Sequence, residues 1–532
     1  MRRLLPWVIV ALFVALSVGS ALSESLTFDE IVHAQEGISA LTRHTFLVDT
    51  NNPPLVREFA MLPVVLGIRL KSPVPAIQLF PARVMIILLG TALLIAVYLT
   101  TKKYFGRTQA LLAMFLLALE PTFLANSHYV TLDTGLTLFF FLSYSAFLRL
   151  MEKYSLENLM VTGITFGAAV SSKILALPFF LVSAVIVGLS VFQKEFKKIT
   201  LSLPRMFIFA VVSVLVVWAT YFFVRDVVIV HREDAGRLSS RLQTYAADHN
   251  NTFLQNSLIL LETKKIPLGN YLAVLKNTLV RSQQPQKIFF LGSFYSHGRW
   301  YFLPVNLFYK EPLALWILFG LGFVAGCTAY NRKKHTALFA VPFFVILAIC
   351  STANIQPWVR YAEPAMPFLV IIASQSILLL FTRFQKTLFV LLCVWLACSV
   401  NLSFPHFISY ANELAGPADT RYSKFMDSNL DWGQGLADVA SLIALTKPSH
   451  VQLSYFGRDD GAPYALVSTT PYGSYKYDEI CAFHAVDLPY EGKSETIISV
   501  SNWYYCGYSK DPKFTKMNVR CVIGNAALVF YE

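Results

Sequence analysis

The sequence predicts a mostly α-helical protein, a polytopic membrane helical bundle with a small α/β domain at its C-terminus. Of its 532 residues, 55% are hydrophobic and only 14% are charged, whereas a soluble chain of this size carries far more charge. Several apolar runs reach the roughly 18 to 20 residues that span a bilayer. The net charge of +12 comes from short basic clusters between these runs, which is typical of topology determinants and not of a nucleic-acid-binding face.

The apolar runs predict about eleven transmembrane helices. They lie near 6–22, 81–101, 108–125, 131–149, 157–171, 174–192, 204–224, 303–330, 336–351, 361–381 and 387–403. If the N-terminus is cytoplasmic, Lys and Arg concentrate in the inner loops, as the positive-inside rule requires. The long loops at about 23–80 and 225–302 then lie on the outer side. The alternative, that the first run is a cleaved signal peptide, leaves that placement unchanged.

We expect two domains, a membrane module over 1–403 and an outer domain over 404–532. Strand-like runs in the tail are separated by Gly, Pro and Asp turns, which indicates a small α/β fold. These runs are Val451–Phe456, Thr496–Tyr505 and Val519–Tyr531. Three cysteines fall in the same tail, Cys481, Cys506 and Cys521. An oxidising compartment permits one disulfide among them, and the sequence leaves the pairing open.

The first outer loop contains two segments with helix-like mixing of apolar and charged residues, at 28–43 and 54–70. Pro53-Pro54 separates them, because proline lacks a backbone donor and restricts the residue before it. Such segments are typical of helices that lie at a membrane surface. We expect the pair to form the wall of a cavity there.

Ionisable residues gather at the predicted outer ends of the helices, where a membrane protein keeps charge only for pairing or function. Asp29 and Glu30 follow the first apolar run directly. The others are Arg57, Arg83, Asp133, Lys173, Arg360 and Glu363. Such a set predicts a pocket in which a carboxylate takes a proton from an attacking hydroxyl while cations stabilise a departing phosphate.

The sequence contains no phosphate-binding glycine loop and no zinc signature, so a nucleotide or zinc ion is not expected. Two neighbouring acids are compatible with a divalent cation, but no third oxygen ligand is identifiable. We therefore assign no metal and no cofactor, and we expect no nucleic acid among the partners.

An ordered series of short motifs resembles a known family. The motifs are Phe28-Asp29-Glu30-x-x-His33, Asn52-Pro53-Pro54-Leu55-x-Arg57, Leu132-Asp133, Ser171-Ser172-Lys173, Lys310-Glu311-Pro312, Arg360-Tyr361-x-x-Pro364 and Asp427-Ser428-Asn429-Leu430-Asp431-Trp432. In this order they resemble the protein O-mannosyltransferase superfamily of GT-C glycosyltransferases, and the later ones resemble its bacterial branch of phospholipid-carrier-dependent enzymes. The resemblance covers most of the chain up to about residue 440.

The resemblance implies a GT-C fold and an inverting transferase in the bacterial cytoplasmic membrane, with its active site on the outer face. The implied reaction moves a sugar from a polyprenyl-phosphate donor to a protein, lipid or glycan acceptor. The site residues it implies are Asp29 as general base, Glu30 beside it, and Arg57, Arg83, Lys173 and Arg360 around the donor phosphate. His33, Asp49 and Asp133 are further pocket candidates.

Each assignment has a purely structural alternative. Aspartate is a common residue type to cap the helix that follows it, which is the alternative for Asp29. The alternative for Glu30 is a side chain that simply faces water. His33 is more typical of a hydrogen-bonded wall residue than of a metal ligand, and Asp133 of a structural ion pair. For the whole chain, the alternatives are a transporter or flippase of lipid-linked sugars, and a non-catalytic assembly protein.

Overall fold

A computed structural model of the chain describes residues 3–46, 49–68, 70–72, 74–200, 202–228, 244, 248, 252–328, 332–355, 358–458, 481–488 and 491–531. The first α-helices are α1 (Leu5–Ser23), α2 (Glu30–Arg43), α3 (Leu55–Val65), α4 (Pro75–Gln78), α5 (Phe80–Phe105), α6 (Arg107–Ala118), α7 (Pro121–Asn126), α8 (Asp133–Glu152), α9 (Leu156–Ser172), α10 (Ala176–Val191), α11 (Gln193–Thr200) and α12 (Leu203–Ala219). The later ones are α13 (Thr252–Thr263), α14 (Gly269–Gln283), α15 (Phe302–Lys310), α16 (Leu313–Thr328), α17 (Lys333–Thr352), α18 (Met366–Ala373), α19 (Arg383–Asn401), α20 (Leu436–Thr446), α21 (Val500–Tyr505) and α22 (Pro512–Thr515).

Several of these helices are long and apolar enough to cross a membrane. In the described part of the chain, six continuous segments qualify by length and composition. A seventh is added if α15 and α16, which meet at 111°, form one bent span. The predicted class, a mostly helical multi-pass membrane protein, is confirmed. The count of about eleven spans stays a prediction, because α6, α9, α10 and α12 are only 12 to 17 residues long.

Local sequence explains where the membrane helices begin and end. α5 has Pro81 in its first turn, where a missing backbone donor costs nothing. It ends at Gly106, whose φ of 97° is readily adopted only by glycine. Immediately before α18, the 3₁₀ turn Val359–Ala365 carries Arg360 and joins that helix in one apolar segment over Val359–Leu379. This turn brings a cation to the end of a span.

The two segments expected in the first outer loop are α2 and α3. They pack closely at Gly37, where an added Cβ lies 2.6 Å from the carbonyl oxygen of Arg57. Any larger residue at Gly37 forces the helices apart. The turn between them contains Asp49 and Asn52, and both residues face the cavity described below.

The tail contains a five-stranded sheet, as the α/β prediction for this region requires. Its strands pair in the order His484–Asp487, His450–Ser454, Glu495–Ser499, Ala527–Tyr531 and Cys521–Ile523. The pairing is antiparallel except between His450–Ser454 and Glu495–Ser499, which are parallel. Short two-stranded ladders pair Arg225–Asp226 with Ile266–Pro267 and Ile288–Phe290 with Ser293–Tyr295.

The expected strand over Thr496–Tyr505 is wrong in its second half, since the chain enters helix α21 after Ser499. A tertiary contact explains the change. The carboxylate of Asp431 accepts a hydrogen bond of 2.8 Å from the backbone amide of Ser501, and the Asp431 carbonyl accepts another from the Ser501 hydroxyl. Buried polar groups need such partners, and the helix they start delivers Tyr505 to the cavity.

The tail is tied to the bundle at its beginning. Phe407, Ile408 and Trp432 pack in the same apolar core as the transmembrane helices. The buried Lys310 ammonium at the end of α15 donates to the carbonyl oxygens of Ile408 and Asn429, each at 2.7 Å. The division into domains at residue 404 therefore stays a prediction.

Of the three tail cysteines, Cys481 and Cys506 form a disulfide, and Cys521 has a free thiol. The pairing that the sequence left open is thereby specified. The bond joins the segment before the strand His484–Asp487 to the residue that follows α21. It closes a loop of 25 residues, and such cross-links stabilise a fold chiefly by restricting the unfolded chain.

Candidate active site

The ends of four helical segments meet at one end of the bundle and form a chain of alternating charges. Asp29 lies immediately before α2, Asp133 is the first residue of α8, and Lys173 follows the last residue of α9. Arg360 donates to Asp29 at 3.0 Å and lies 3.6 Å from Asp133. Lys173 reaches the other oxygen of Asp133 at 2.7 Å. Each charge has a partner, which makes burial of the whole group tolerable.

These charges line a cavity of about 1120 Å³. Six of the nine residues that the sequence proposed for the site contribute to its wall: Asp29, His33, Asp49, Asp133, Lys173 and Arg360. Apolar side chains from the start of α10 and from α14 line it as well, including Leu177, Pro178, Leu275 and Leu279. Ligand sites commonly combine such an apolar lining with a few convergent polar groups.

Asp29 is the carboxylate in this group that solvent reaches best. Its side chain is 34% exposed, against 2% for Asp133. Although Asp29 occupies the position before α2, its side chain makes no capping hydrogen bond. One carboxylate oxygen is held by Arg360. The geometry therefore argues against the capping alternative and leaves Asp29 able to receive a proton from a ligand.

His33 lies one turn further along α2 and also lines the cavity. Burial, reinforced by the positive charge of Arg57, lowers the pKa of His33 to about 4, so its imidazole is neutral at physiological pH. Its Nδ1 atom is buried without a hydrogen-bond partner in the described part of the chain. His33 is therefore a wall residue whose Nδ1 lacks the expected hydrogen bond within the described residues.

Arg57 is buried behind the cavity wall and does not line it. Its Nη2 lies 3.1 Å from the carboxylate of Asp49 and 2.8 Å from the carbonyl oxygen of Asn52. Burial opposes ionisation of Asp49, but the charge of Arg57 outweighs it and lowers the pKa of that carboxyl. Arg57 therefore holds the Asp49–Asn52 turn in place, and any influence on a ligand passes through that turn.

Glu30 and Arg83 lie together away from the cavity. Both side chains are fully buried and form a two-point ion pair with contacts of 2.7 and 3.0 Å. Glu30 also accepts from the backbone amides of Thr27 and Val130, and Arg83 donates to three backbone carbonyls. Their hydrogen-bonding capacity is used within the protein. Neither residue lines the cavity, so the expected roles of Glu30 and Arg83 at the substrate stay predictions that this geometry does not favour.

Several cavity residues escaped the sequence-based assignment. The most notable are Phe28, Trp358, Asp427, Phe456 and Tyr505. Asp427 lies in a motif that the sequence singled out, and Tyr505 lies in a Tyr-rich segment, but neither pattern indicates orientation. Another Tyr-rich segment, over 472–477, lies outside the described residues.

Trp432 also lines the cavity and stacks against Arg360. The guanidinium carbon of Arg360 lies 4.1 Å from the centre of the Trp432 ring. This stacking orients the guanidinium. After Asp431-Trp432-Gly433 the chain enters α20, which begins at Leu436. Within the described ranges, no group of three or more His, Cys, Asp or Glu side chains is arranged to hold a metal ion.

Comparison with known proteins gives a family match over part of the chain and a fold match over almost all of it. Residues 71–218 match the family model described as dolichyl-phosphate-mannose-protein mannosyltransferase. This range includes Arg83, Asp133 and Lys173 but neither Asp29 nor Arg360. No curated protein matches the sequence significantly.

Two solved structures share the fold along almost the whole chain. ArnT from Cupriavidus metallidurans bound to undecaprenyl phosphate matches with a TM-score of 0.53 and 11% sequence identity, covering 98% of this chain and 97% of that one. The apo state of the same protein matches with a TM-score of 0.51, also at 11% identity and with the same coverage of both chains. At this identity the likeness establishes a common fold.

Proposed function

We propose that this chain is a member of the protein O-mannosyltransferase superfamily of GT-C glycosyltransferases and that it transfers a sugar from a polyprenyl-phosphate donor to an acceptor hydroxyl at the outer face of the membrane. One observation carries the proposal: the cavity holds a partly exposed carboxylate, Asp29, paired with Arg360, and a second cation, Lys173, is linked to Arg360 through Asp133. The family match and the ArnT-like fold support the donor class, since ArnT has been solved with undecaprenyl phosphate.

The reaction needs one base and one anion site. In the proposed mechanism, Asp29 takes the proton of the acceptor hydroxyl while that oxygen forms a bond to the anomeric carbon of the donor sugar. The bond from that carbon to the phosphate oxygen breaks, and polyprenyl phosphate departs with the electron pair. Attack opposite the leaving phosphate inverts the anomeric configuration, as is general for this class.

Lys173 and Arg360 are our candidates for stabilising the charge that develops on the phosphate. Both already bind carboxylates, but an ammonium has three hydrogen-bond donors and a guanidinium has five, so each can bind a phosphate as well. Arg360 has a further hydrogen-bond donor, Nε, that is unpartnered in the part of the chain the structure describes. The apolar residues of α10 and α14 that line the same cavity suit a prenyl chain. Arg57 contributes indirectly, by holding the Asp49–Asn52 turn in place. The Arg83 and Glu30 pair contributes by stabilising the fold.

We assign the site to the outer, periplasmic side of a bacterial cytoplasmic membrane. The distribution of Lys and Arg between the loops supports this orientation. The disulfide between Cys481 and Cys506 supports it independently, because disulfides persist in oxidising compartments. Tyr505, which precedes Cys506, lines the cavity, so the disulfide and the site lie on the same side.

Binding of undecaprenyl phosphate to the purified full-length chain in lipid nanodiscs tests the donor assignment. Native mass spectrometry of wild-type protein is expected to show the bound lipid, and lipid extracts are expected to contain a sugar-bearing polyprenyl phosphate. Lys173→Ala is expected to weaken binding, whereas Lys516→Ala, at an exposed position in the tail, serves as the matched control. Absence of polyprenyl lipids from wild-type protein in both experiments overturns the proposal.

A further inference from the structure

A second polar group in the cavity lies outside the proposed donor site. The carboxylate of Asp427 accepts a hydrogen bond of 2.8 Å from the indole nitrogen of Trp358 at one oxygen and one of 2.7 Å from the hydroxyl of Tyr505 at the other. All three residues line the cavity. Because the carboxylate is held on both sides, the two rings are fixed relative to each other.

The backbone at Asp427 is strained to hold this arrangement. Its φ is 54°, in the left-handed region that residues with a Cβ seldom adopt. The amide of Asp427 donates to the hydroxyl of Ser501 at 2.9 Å, which anchors the conformation. Glycine adopts this conformation without strain. A carboxylate at a position that favours glycine is the kind of outlier that concentrates at functional sites.

Aromatic rings extend the wall next to Asp427. Phe28 and Phe456 stack with ring centres 5.1 Å apart and planes within 9°. Phe456 lies 5.8 Å from the ring of Tyr505, and the guanidinium carbon of Arg458 lies 4.1 Å from the ring centre of Phe28. The tail of the protein therefore supplies much of this side of the cavity.

The aromatic wall is continuous with the proposed catalytic group. Trp358 lies beside Arg360, with 4.9 Å between the guanidinium carbon and the indole centre. Arg360 in turn binds Asp29. A ligand on the wall near Trp358 is thus next to the residue that takes a proton in the proposed mechanism.

Flat aromatic faces beside a fixed carboxylate match the chemistry of a sugar ring. A pyranose has apolar C–H faces that pack on aromatic rings and equatorial hydroxyls that donate to a carboxylate. A prenyl chain makes no use of the carboxylate, and an extended peptide needs backbone partners along a strand edge.

We propose that Trp358, Asp427 and Tyr505 form an acceptor subsite that binds a sugar ring, so that the acceptor is a glycan or the sugar headgroup of a glycolipid. This inference rests on the proposed transferase function and deepens it. In the subsite, Asp427 orients a ring hydroxyl while the aromatic side chains cover one face. The ring then presents a second hydroxyl toward Asp29.

Saturation-transfer NMR on the full chain in nanodiscs tests this subsite with four probes. Three are methyl glycosides of glucose, galactose and N-acetylglucosamine, and the fourth is the peptide acetyl-Ala-Thr-Ala-amide. At least one glycoside is expected to bind wild-type protein, and Asp427→Asn is expected to weaken it about tenfold through loss of a charged hydrogen bond. Trp358→Phe and Tyr505→Phe, which keep an aromatic ring, are expected to weaken it less. Asp419→Asn and Trp300→Phe, at exposed positions, are matched controls.

Three results overturn the subsite. In the first, the peptide binds and no glycoside does. In the second, a glycoside binds wild-type protein and none of the three variants changes its affinity. In the third, the variants lose the copurified donor lipid while their glycoside binding is unchanged. The last result assigns the wall to the donor sugar. Failure of the proposed function gives a different pattern, in which glycosides bind while polyprenyl lipids do not. Tyr505→Phe removes one oxygen atom, so it tests the subsite even if Asp427→Asn fails to fold.

Discussion

Asp29 and Arg360, 331 residues apart in the sequence, form an ion pair of 3.0 Å in the wall of the cavity. The pair joins the first outer loop to the 3₁₀ turn that precedes α18. It orients the Asp29 carboxylate while leaving part of it exposed to a ligand. The proposed base and the proposed phosphate-binding cation are thereby positioned by a single contact.

Replacing the proposed base should remove chemistry and spare donor binding. We expect Asp29→Asn to lower turnover by on the order of a hundredfold or more, the effect of losing a positioned general base. The assay measures turnover as sugar transferred per mole of folded protein, with the sugar-bearing lipid identified by mass spectrometry as donor. Asp419→Asn, an exposed carboxylate in the tail, should retain full turnover. Near-normal transfer by correctly inserted Asp29→Asn protein excludes Asp29 as the base.

Removing a proposed phosphate contact should affect both binding and rate. Because Lys173 would touch the phosphate in the ground state and in the transition state, Lys173→Ala should raise the donor concentration needed for half-maximal rate and also lower the maximal rate. Titration of the donor in nanodiscs separates the two effects. The exposed Lys516→Ala variant should match wild type. An unchanged donor dependence in Lys173→Ala counts against the phosphate site.

Breaking the Glu30 and Arg83 pair should unfold the protein rather than alter its chemistry. Arg83→Met leaves a buried carboxylate without its partner, a change that typically costs about 3–5 kcal/mol. Thermal denaturation in detergent should show a large drop in Tm, and Glu30→Leu combined with Arg83→Met should recover part of it. Arg43→Met, at an exposed position on α2, is the control. A stable but inactive Arg83→Met protein would instead implicate Arg83 in substrate binding.

The contact between the tail and the first helix should weaken at high pH. Burial opposes the charge on His406, but hydrogen bonds to Asp438 and Glu24 outweigh it and raise the pKa of His406 to about 10. Its contribution to stability is therefore complete below the ordinary histidine pKa of 6.5 and is lost as the pH rises toward 10.

The same contact should weaken again in acid. Burial opposes ionisation of Glu24, but its hydrogen bonds to His128 and His406 lower the pKa of Glu24 to about 2. Its contribution is complete above pH 4.5 and is lost as the pH falls toward 2.

The high-pH prediction is tested by thermal denaturation. Wild-type Tm should decline from pH 6.5 to 10, and His406→Gln should flatten that decline, whereas His297→Gln, at an exposed position, should not. Equal declines in all three proteins would refute the His406 assignment.

Much of the membrane fold could be predicted because it depends on local properties. Apolar runs of sufficient length have few alternatives to a membrane helix, and the expected run at 81–101 lies within α5. Pro53-Pro54 lies between the two predicted helices, and Pro54 immediately precedes α3. The predicted strand over Thr496–Tyr505 is too long, because residues with strand propensity adopt helix when distant groups satisfy the amides of the first turn. Here Asp431 accepts from the amide of Ser501, and the carbonyl of Ala526 accepts from that of Val500.

Which of two neighbouring acids faces the cavity could not be read from their order. Asp29 and Glu30 stand at the start of one helix, where successive side chains point about 100° apart. Which direction meets the cavity depends on how α2 is rotated against the bundle. The structure sends Asp29 to Arg360 and Glu30 to Arg83.

The class of the protein, its long apolar segments and the types of ionisable residue available to a site can be read from the sequence. Those follow from chain chemistry and from interactions within a few residues. That Trp358, Asp427 and Tyr505 share a cavity with Asp29 follows instead from how distant segments pack. Such contacts join segments separated by tens to hundreds of residues, and packing geometry leaves no periodic trace in the sequence by which they can be found.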